Sequence, residues 1–372
     1  MVLETRSPVT VELPTDLRQI PDCPAVFLVR VRQGAPYLAR TSLLRRRLER
    51  LLGERGRPSR LLNLRSIASR LEYWPVGSRL ESSLLLYELA KRHFPADYSR
   101  FLKLRLPPYL KVILSNPFPR TQVTTRLSGA KAFYYGPFRN RAVAEQFSRQ
   151  VLDLFQVRRC QEDLEPSPLH PGCVYGEMNM CLRPCQAAVS REEYLSEVDR
   201  LVQFLATGGR SLLGIVTAAR DRLSEEMHFE EAARQHKRLE KIQQVLRLRD
   251  DLGGEVGELC GVAVTASAVA GAAELWFFCR GGWQAPVRIS FEVVDGKPVS
   301  LDHRLREAAS ALQPVEVAGP ERQEHLALLV RWYCSSWRDG EWVRLAAPDR
   351  LPYRKLVAAV ARVLTTTPPP TD

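Results

Sequence analysis

Apolar residues in the first hundred positions follow strand-like and then helix-like patterns. The run AVFLVRV at 25–31 predicts a strand. Leucines at helical spacing with arginines between them predict a helix over 42–52, and a second helix is predicted over 78–94. Residues 1–20 show neither period and are predicted to be irregular. Together these elements predict a small α/β domain over 1–105.

The next hundred residues combine two strands, a helix and a long loop. Strands are predicted at 108–114 and 132–138, and a helix at 140–155. Four prolines between 160 and 185 predict loop rather than regular structure. We therefore expect 106–206 to form one linker and cysteine-rich region.

A helical stretch follows the loop. Ser190, with Glu193 three residues later, predicts the capped start of a helix over 190–206, which the glycines at 208–209 end. Residues 207–248 are predicted to form a helical hairpin, broken near 227–229.

The C-terminal third returns to an alternating pattern. Residues 257–292 predict strands, with Gly281 and Gly282 as a hairpin turn. Helices are predicted at 302–312, 321–337 and 351–364. The expected fold is therefore α+β and multidomain, with a C-terminal α/β domain over 255–364 and a disordered polar tail over 365–372.

Composition limits the class of protein. The 372 residues are 45% hydrophobic and 26% charged, which is typical of a soluble protein of two or three domains. The N-terminus lacks the pattern of a signal peptide and no apolar run is long enough to cross a membrane, so we expect a cytoplasmic protein without disulfides. The net charge of +12 indicates a nucleic-acid partner or a genome that favours arginine codons.

Four of the eight cysteines cluster in the predicted loop, and they are Cys160, Cys173, Cys181 and Cys185. Four thiolates satisfy tetrahedral zinc or a cubane iron–sulfur cluster, and the spacing leaves both open. The other four are scattered, mostly in apolar runs, and are predicted to be buried small hydrophobes: Cys23, Cys260, Cys279 and Cys334.

The cysteine segment RRCQEDLEPSPLHPGCVYGEMNMCLRPC, followed by SREEY, resembles that of the UvrC excinuclease family of bacterial nucleotide-excision repair. The preceding stretch with FYYGPF is similar to the same family, and HFEEAARQHKRLEKI at 228–242 resembles its UVR motif. The resemblance covers most of 20–360. It implies a DNA-binding repair protein whose four cysteines hold a [4Fe–4S] cluster, with zinc as the alternative.

The resemblance also implies an N-terminal GIY-YIG nuclease-like domain. Its second motif corresponds to Tyr37-Leu38-Ala39, and Arg40 and Arg47 fall on basic positions of the family. Phe27 replaces the tyrosine of the first motif. The catalytic remnant is therefore Tyr37, Arg40 and Arg47.

The remaining nuclease positions depart from the family's pattern. Tyr87 stands where the family has its metal-binding Glu, and Ser99 where it has an Asn. We therefore predict weak or absent nuclease activity. The segment at 353–364 resembles the one before the family's RNase H-like and helix-hairpin-helix domains, so we expect a short form without them.

Two other functions stay open. One is an active endonuclease that makes the 3′ incision at damaged DNA, with Tyr37 as base and Glu88 or Glu81 holding Mg²⁺ or Mn²⁺. The other is a non-catalytic protein adaptor.

The hairpin at 207–248 carries the predicted partner surface. By resemblance it binds a UvrB-like helicase subunit, although His236 and Lys237 replace the family's Arg-Asp pair. The alternative is an ordinary helix pair packed on its own protein. The predicted partner-binding residues are Phe229, Glu230, Ala232, Ala233, Leu239 and Ile242.

Overall fold

The computed structural model describes residues 6–54, 62–128, 131–290, 293–294, 297–298, 300–310, 317, 319–347 and 350–366. The chain divides into two compact units. The first unit comprises Met1–Arg105, Cys260–Val317 and Arg331–Asp372, and the second comprises Leu106–Leu259 and Ala318–Val330. The predicted domains at 1–105 and 255–364 thus fall largely in one unit. Of the predicted disordered tail at 365–372, residues 365–366 are instead the end of the last helix, and the rest lies outside the described residues.

The N-terminal part of the first unit is an antiparallel sheet in the order β1-β4-β2-β3. Its strands are β1 (Val9–Glu12), β2 (Ala25–Val31), β3 (Tyr37–Thr41) and β4 (Ala68–Pro75). Its helices are α1 (Leu44–Leu52), α2 (Arg79–His93) and α3 (Tyr98–Leu102). The strand over 25–31 is confirmed, and both long helices begin one or two residues inside their predicted starts.

Two strands of this sheet differ from expectation. β1 lies in the segment predicted to be irregular, and no strand is predicted over β4. β1 is short and mostly exposed, so its sequence shows no clear alternation of apolar and polar residues. Its backbone nevertheless pairs along β4, from Val9 opposite Tyr73 to Glu12 opposite Arg70. Pairing with a distant strand, rather than local periodicity, creates this element.

The second unit packs a sheet against helices. The sheet has the order β6-β5-β7-β8. Its strands are β5 (Tyr109–Ile113), β6 (Arg120–Thr124), β7 (Ala132–Gly136) and β8 (Gly254–Glu255). Its helices are α4 (Arg141–Leu152), α5 (Val174–Glu177), α6 (Arg191–Ala206), α7 (Arg210–Glu225) and α8 (Phe229–Arg247).

Helix boundaries in this unit follow the sequence signals. Ser190 caps α6, and the reciprocal bonds between Ser190 and Glu193 form the predicted capping box. Both glycines after α6 have positive φ, and a Cβ on Gly209 would lie 2.6 Å from the Leu246 side chain. α7 ends at Glu225 and α8 begins at Phe229, which confirms the break near 227–229.

The C-terminal part of the first unit is a second sheet in the order β11-β10-β9-β15, with β12 also paired to β10. Its strands are β9 (Gly261–Ala266), β10 (Ala272–Cys279), β11 (Gly282–Trp283), β12 (Val287–Ser290) and β15 (Glu341–Arg344), and a separate ribbon pairs β13 (Val293–Val294) with β14 (Lys297–Pro298). The helices are α9 (Leu301–Ser310) and α11 (Tyr353–Thr366), while α10 (Gly319–Tyr333) begins in the second unit and ends in the first.

Two predictions for this sheet need correction. Cys279 pairs with Gly282, so the two turn residues are Arg280 and Gly281, both with positive φ, one position before the predicted glycine pair. Cys260 is buried as predicted, but it forms a disulfide with Cys279, with their Cα atoms 4.4 Å apart. The register of β9 against β10 ends with Gly261 opposite Phe278, which brings the adjacent Cys260 and Cys279 together, and the sequence spacing did not reveal this.

No single helix among the described residues is long and apolar enough to cross a membrane. The bent pair α6 and α7 meets the length and composition criteria only when taken together, across a bend of 106°.

Candidate functional site

Tyr37 and Arg47 meet on one face of the N-terminal sheet. Arg47 on α1 donates a hydrogen bond from Nη2 to the Tyr37 hydroxyl at 3.0 Å. Tyr37 lies opposite Val29 on the neighbouring strand, and its ring is 6.0 Å from that of the fully buried Phe27. The structure therefore joins two of the three predicted remnant residues in a phenol–guanidinium pair at the sheet edge formed by β3.

Arg40 lies on the opposite face of the same edge strand, as strand alternation requires. Its Nη1 donates to the Ser83 hydroxyl on α2 at 2.9 Å. Arg40 is exposed as a whole residue, but partial desolvation of its guanidinium lowers its pKa, and the nearby charges of Arg331 and Arg79 lower it further. Such a concentration of positive charge favours an anionic ligand.

A cavity of about 490 Å³ adjoins Arg40 and the start of α2. Asp339 lines it and accepts a hydrogen bond of 2.5 Å from the backbone N–H of Arg79. Burial raises the pKa of Asp339, against the lowering effect of that hydrogen bond. The carboxylate therefore occupies the position at this helix N-terminus that an external anion would take.

The position predicted to have lost its metal ligand belongs to the hydrophobic core. Tyr87 is 1% exposed and packs edge-on against Tyr98, with ring centroids 6.2 Å apart. The Lys91 ammonium lies 3.5 Å from its hydroxyl. Ser99 lies on α3, and Glu88 is half-buried on α2. An aromatic side chain thus fills the space that a carboxylate would need.

Glu81, the other carboxylate considered as a metal ligand, is fully buried in a structural network. Its Oε2 accepts the backbone N–H of Gly77 at 2.8 Å, and its Oε1 pairs with Arg6. Arg6 also pairs with Glu274 at 2.5 Å, which Arg288 approaches within 2.9 Å. Burial raises the pKa of Glu81 to about 7, against the lowering effect of Arg6. These contacts leave Glu81 unsuited to hold Mg²⁺.

The four clustered cysteines lie in one segment of the second unit, which is largely loop as predicted, with the short helix α5 after Cys173. Cys181 and Cys185 are buried, Cys160 is half-buried and Cys173 is exposed. Within the described ranges, no three His, Cys, Asp or Glu side chains are arranged to hold a metal ion, these cysteines included. The thiols are nevertheless close enough to perturb one another. Burial raises the pKa of Cys181 to about 11, and the charges of the other three add to the rise.

The loop presents donors to its sulfur atoms. The backbone N–H of Arg183 lies 3.4 Å from Cys181 Sγ, and Arg158 Nη1 lies 3.3 Å from Cys160 Sγ. Hydrogen bonds to sulfur are typical of thiolate-ligated metal centres. The Arg158 side chain is almost completely buried, and its Nη2 is buried without a hydrogen-bond partner. Three features fit an anionic thiolate centre: the four cysteine thiols, the hydrogen bonds donated to their sulfur atoms, and this cationic nitrogen without a partner.

Buried polar contacts fix the entry to this loop. The Tyr194 hydroxyl donates to Pro119 O at 2.7 Å and accepts the backbone N–H of Arg158 at 3.1 Å. Glu197 accepts the backbone N–H of Gln156 at 2.8 Å. The chain is therefore held against α6 immediately before its first clustered cysteine.

The predicted partner residues divide between the base and the tip of the hairpin formed by α7 and α8. Leu239 and Ile242 lie in the core of the second unit, and Ala232 is also buried. Phe229 is 65% exposed, and Glu230 and Ala233 are also exposed. The tip thus offers surface to a partner, while the base packs on its own protein.

Sequence reasoning missed the side chains that support these sites. Tyr194 and Arg6 make their decisive contacts with residues far away in the chain, and Asp339 bonds to α2 from 260 positions away. Arg158 combines a distant contact, with Phe118 O, and near ones, with Cys160 and Glu162. The one sequence feature that could have indicated a supporting side chain is the arginine pair directly before Cys160.

Comparison with known proteins gives one family and many distant relatives. A family model described as UvrC/Cho excinuclease, middle domain, matches residues 107–204. UvrABC system protein C of Moorella thermoacetica is 26% identical over 275 residues, covering 73% of this chain and 44% of that protein. Its counterpart in Ruminiclostridium cellulolyticum is 23% identical over 359 residues, covering 94% and 58%.

The chain spans about half the length of these curated relatives. No solved structure matches it. The matched middle domain runs from β5 to α6 and includes the cysteine loop.

Proposed function

We propose that this relative of UvrABC system protein C is a cytoplasmic DNA-binding protein of bacterial nucleotide-excision repair with weak or absent nuclease activity. The observation that most directly supports this proposal is that Tyr87 is buried against Tyr98, at the position where the family's metal-binding carboxylate is expected. Loss of the sole carboxylate ligand removes several kcal/mol of transition-state stabilisation from a metal-dependent nuclease.

The residual site retains the means to hold phosphate. Arg47 and Tyr37 form one polar pair at the sheet edge, and Arg40 adds a second cation on the other face. Arginine contacts to phosphate supply affinity and a dependence on salt, without sequence preference. The net charge of +12 supports the same substrate.

The cysteine loop is proposed to hold a [4Fe–4S] cluster, with zinc as the alternative. Cys160, Cys173, Cys181 and Cys185 would supply the four thiolates, and loading would require the loop to close around the metal. When bound, the centre would cross-link an irregular segment that has little regular structure of its own. Tyr194 and Arg158 fix the segment beside the first ligand.

The hairpin tip is proposed as the contact for a UvrB-like helicase subunit. Phe229 and Met227 are large exposed apolar side chains at the turn between α7 and α8. In helix-mediated binding, a few apolar anchors of this kind, inserted into a partner groove, carry most of the binding energy. Of the predicted set, only the exposed members Phe229, Glu230 and Ala233 belong to this contact.

A second candidate, an active endonuclease making the 3′ incision, is favoured by the hydrogen bond between Tyr37 and Arg47, which pairs a phenol with a phosphate-binding cation. Mg²⁺ or Mn²⁺ would then need Glu88 as its ligand.

An incision assay separates these functions. A lesion-bearing duplex preloaded with UvrA and UvrB is incubated with the protein and Mg²⁺ or Mn²⁺, with Arg47→Ala as control. We expect DNA binding without cleavage. Cleavage 3′ to the lesion that Arg47→Ala abolishes would establish the endonuclease. UvrB binding without DNA binding would establish the adaptor.

A further inference from the structure

We propose that Arg158 is the built-in counter-cation of the four-cysteine centre, and that it is a positioning residue for whichever metal the thiolates hold. The inference rests on the proposed function, in which the four cysteines bind zinc or an iron–sulfur cluster. It concerns a side chain of this protein that is in place before any metal is bound.

The burial of Arg158 demands an anion. The residue is 1% exposed, and in the described part of the chain no carboxylate lies within ion-pair distance of its guanidinium. Burying an unpaired charge is among the most costly arrangements in a protein. Its neighbour Arg159, by contrast, pairs with Asp153 at 2.7 Å.

The contacts that Arg158 does make are directed at the loop. Nε donates to Phe118 O at 2.9 Å, and Nη1 donates to Glu162 O at 2.6 Å. Nη1 also lies 3.3 Å from Cys160 Sγ, and Nη2 has no partner. Carbonyl dipoles satisfy some donors, but they do not neutralise a full charge.

A four-thiolate centre supplies the missing charge. Zinc with four thiolates and a cubane cluster in its common oxidised state each carry roughly two negative charges. A guanidinium donating to a ligand sulfur stabilises that charge and orients the ligand. The same arginine therefore serves either metal, and it fixes Cys160 through both the sulfur and the adjacent backbone.

The test compares Arg158→Gln and Arg158→Lys with Arg141→Gln. Glutamine removes the charge, lysine retains it, and Arg141 is an exposed arginine of the same unit paired with Glu145. Full-length protein is reconstituted with Zn²⁺ alone or with iron and sulfide, and metal affinity is measured by competition with a chelator. Thermal unfolding is followed for loaded and stripped protein.

We expect Arg158→Gln to weaken metal affinity by about tenfold to a hundredfold. Arg158→Lys should retain most of the affinity, and Arg141→Gln all of it. The gap between the unfolding temperatures of loaded and stripped protein should shrink for Arg158→Gln. With iron bound, its midpoint potential should become more negative, because removing a nearby cation disfavours the reduced centre.

The outcomes are distinguishable. Wild-type protein that binds neither metal overturns the proposed centre and this inference together. If wild-type protein binds metal and Arg158→Gln has the same metal affinity, the same difference in unfolding temperature between loaded and stripped protein and the same midpoint potential, only the inference is overturned. If Arg158→Gln does not fold, hydrogen exchange at 156–162 in wild type decides: protection lost on stripping the metal supports the coupling, and unchanged protection refutes it.

Discussion

The buried hydroxyl of Tyr194 ties the cysteine loop to α6, and Tyr194→Phe removes that link while keeping the ring. The hydroxyl donates to Pro119 O at 2.7 Å and accepts the Arg158 backbone N–H at 3.1 Å. Burial raises the pKa of the phenol, so the hydroxyl remains a neutral donor and acceptor. The edge-on contact with Phe118, with centroids 5.7 Å apart, should survive the change.

The expected cost follows from the two groups left without partners. Each buried backbone group that loses its hydrogen bond costs about 1–2 kcal/mol, so the free energy of unfolding should fall by about 2–4 kcal/mol. Urea unfolding measures this loss, and hydrogen exchange of the peptide covering 156–160 should accelerate.

Tyr134→Phe is the matched control. The Tyr134 hydroxyl bonds the backbone of Ser128 at an exposed site of the same unit, so its loss should cost about 0.5 kcal/mol or less. Equal losses for the two variants, with unchanged exchange at 156–160, would refute the reasoning that the Tyr194 hydroxyl fixes the loop.

Four further predictions test other parts of the molecule. The folded protein raises the pKa of Glu81 from 4.5 to about 7. The neutral carboxyl therefore contributes its full stabilisation when the pH is below 4.5, the pKa in the unfolded chain, and this stabilisation is lost as the pH rises through about 7. Urea midpoints at about pH 5 and about pH 8 should therefore differ less in Glu81→Gln than in wild type, and an undiminished difference would contradict this. Phe229→Asp should weaken binding to a UvrB fragment by about tenfold or more, with the melting temperature unchanged. Ile242→Ala should instead lower the free energy of unfolding by about 2–5 kcal/mol. Calorimetry measures both quantities, and loss of stability in Phe229→Asp with loss of binding in Ile242→Ala would contradict the assignment. Arg47→Gln should reduce the slope of log affinity against log salt concentration for duplex binding by the equivalent of about one phosphate contact. Fluorescence anisotropy measures this slope, and an unchanged slope would show that Arg47 does not contact the DNA. Ser190→Ala should cost about 1 kcal/mol in chemical unfolding by loss of the helix cap, and an unchanged midpoint would show that the cap contributes nothing.

Local signals in the sequence determined much of the secondary structure. The capping box at Ser190, the positive-φ glycines after α6 and the break before Phe229 each depend on atoms within a few residues. The cysteine spacing singled out the loop for the same reason, since all four residues lie within one short segment. That these cysteines hold a metal at all stays a prediction.

The tertiary structure alone decided how distant segments meet. Arg6 pairs with Glu274 across 268 residues, and β1 exists because its backbone pairs with β4. The disulfide between Cys260 and Cys279 follows from strand register, and burial of Arg158 follows from the packing of the loop around it. Periodicity records which side of an element is apolar, but not which other element covers it. The charges, cavities and pairings that support the candidate sites therefore became visible only in three dimensions.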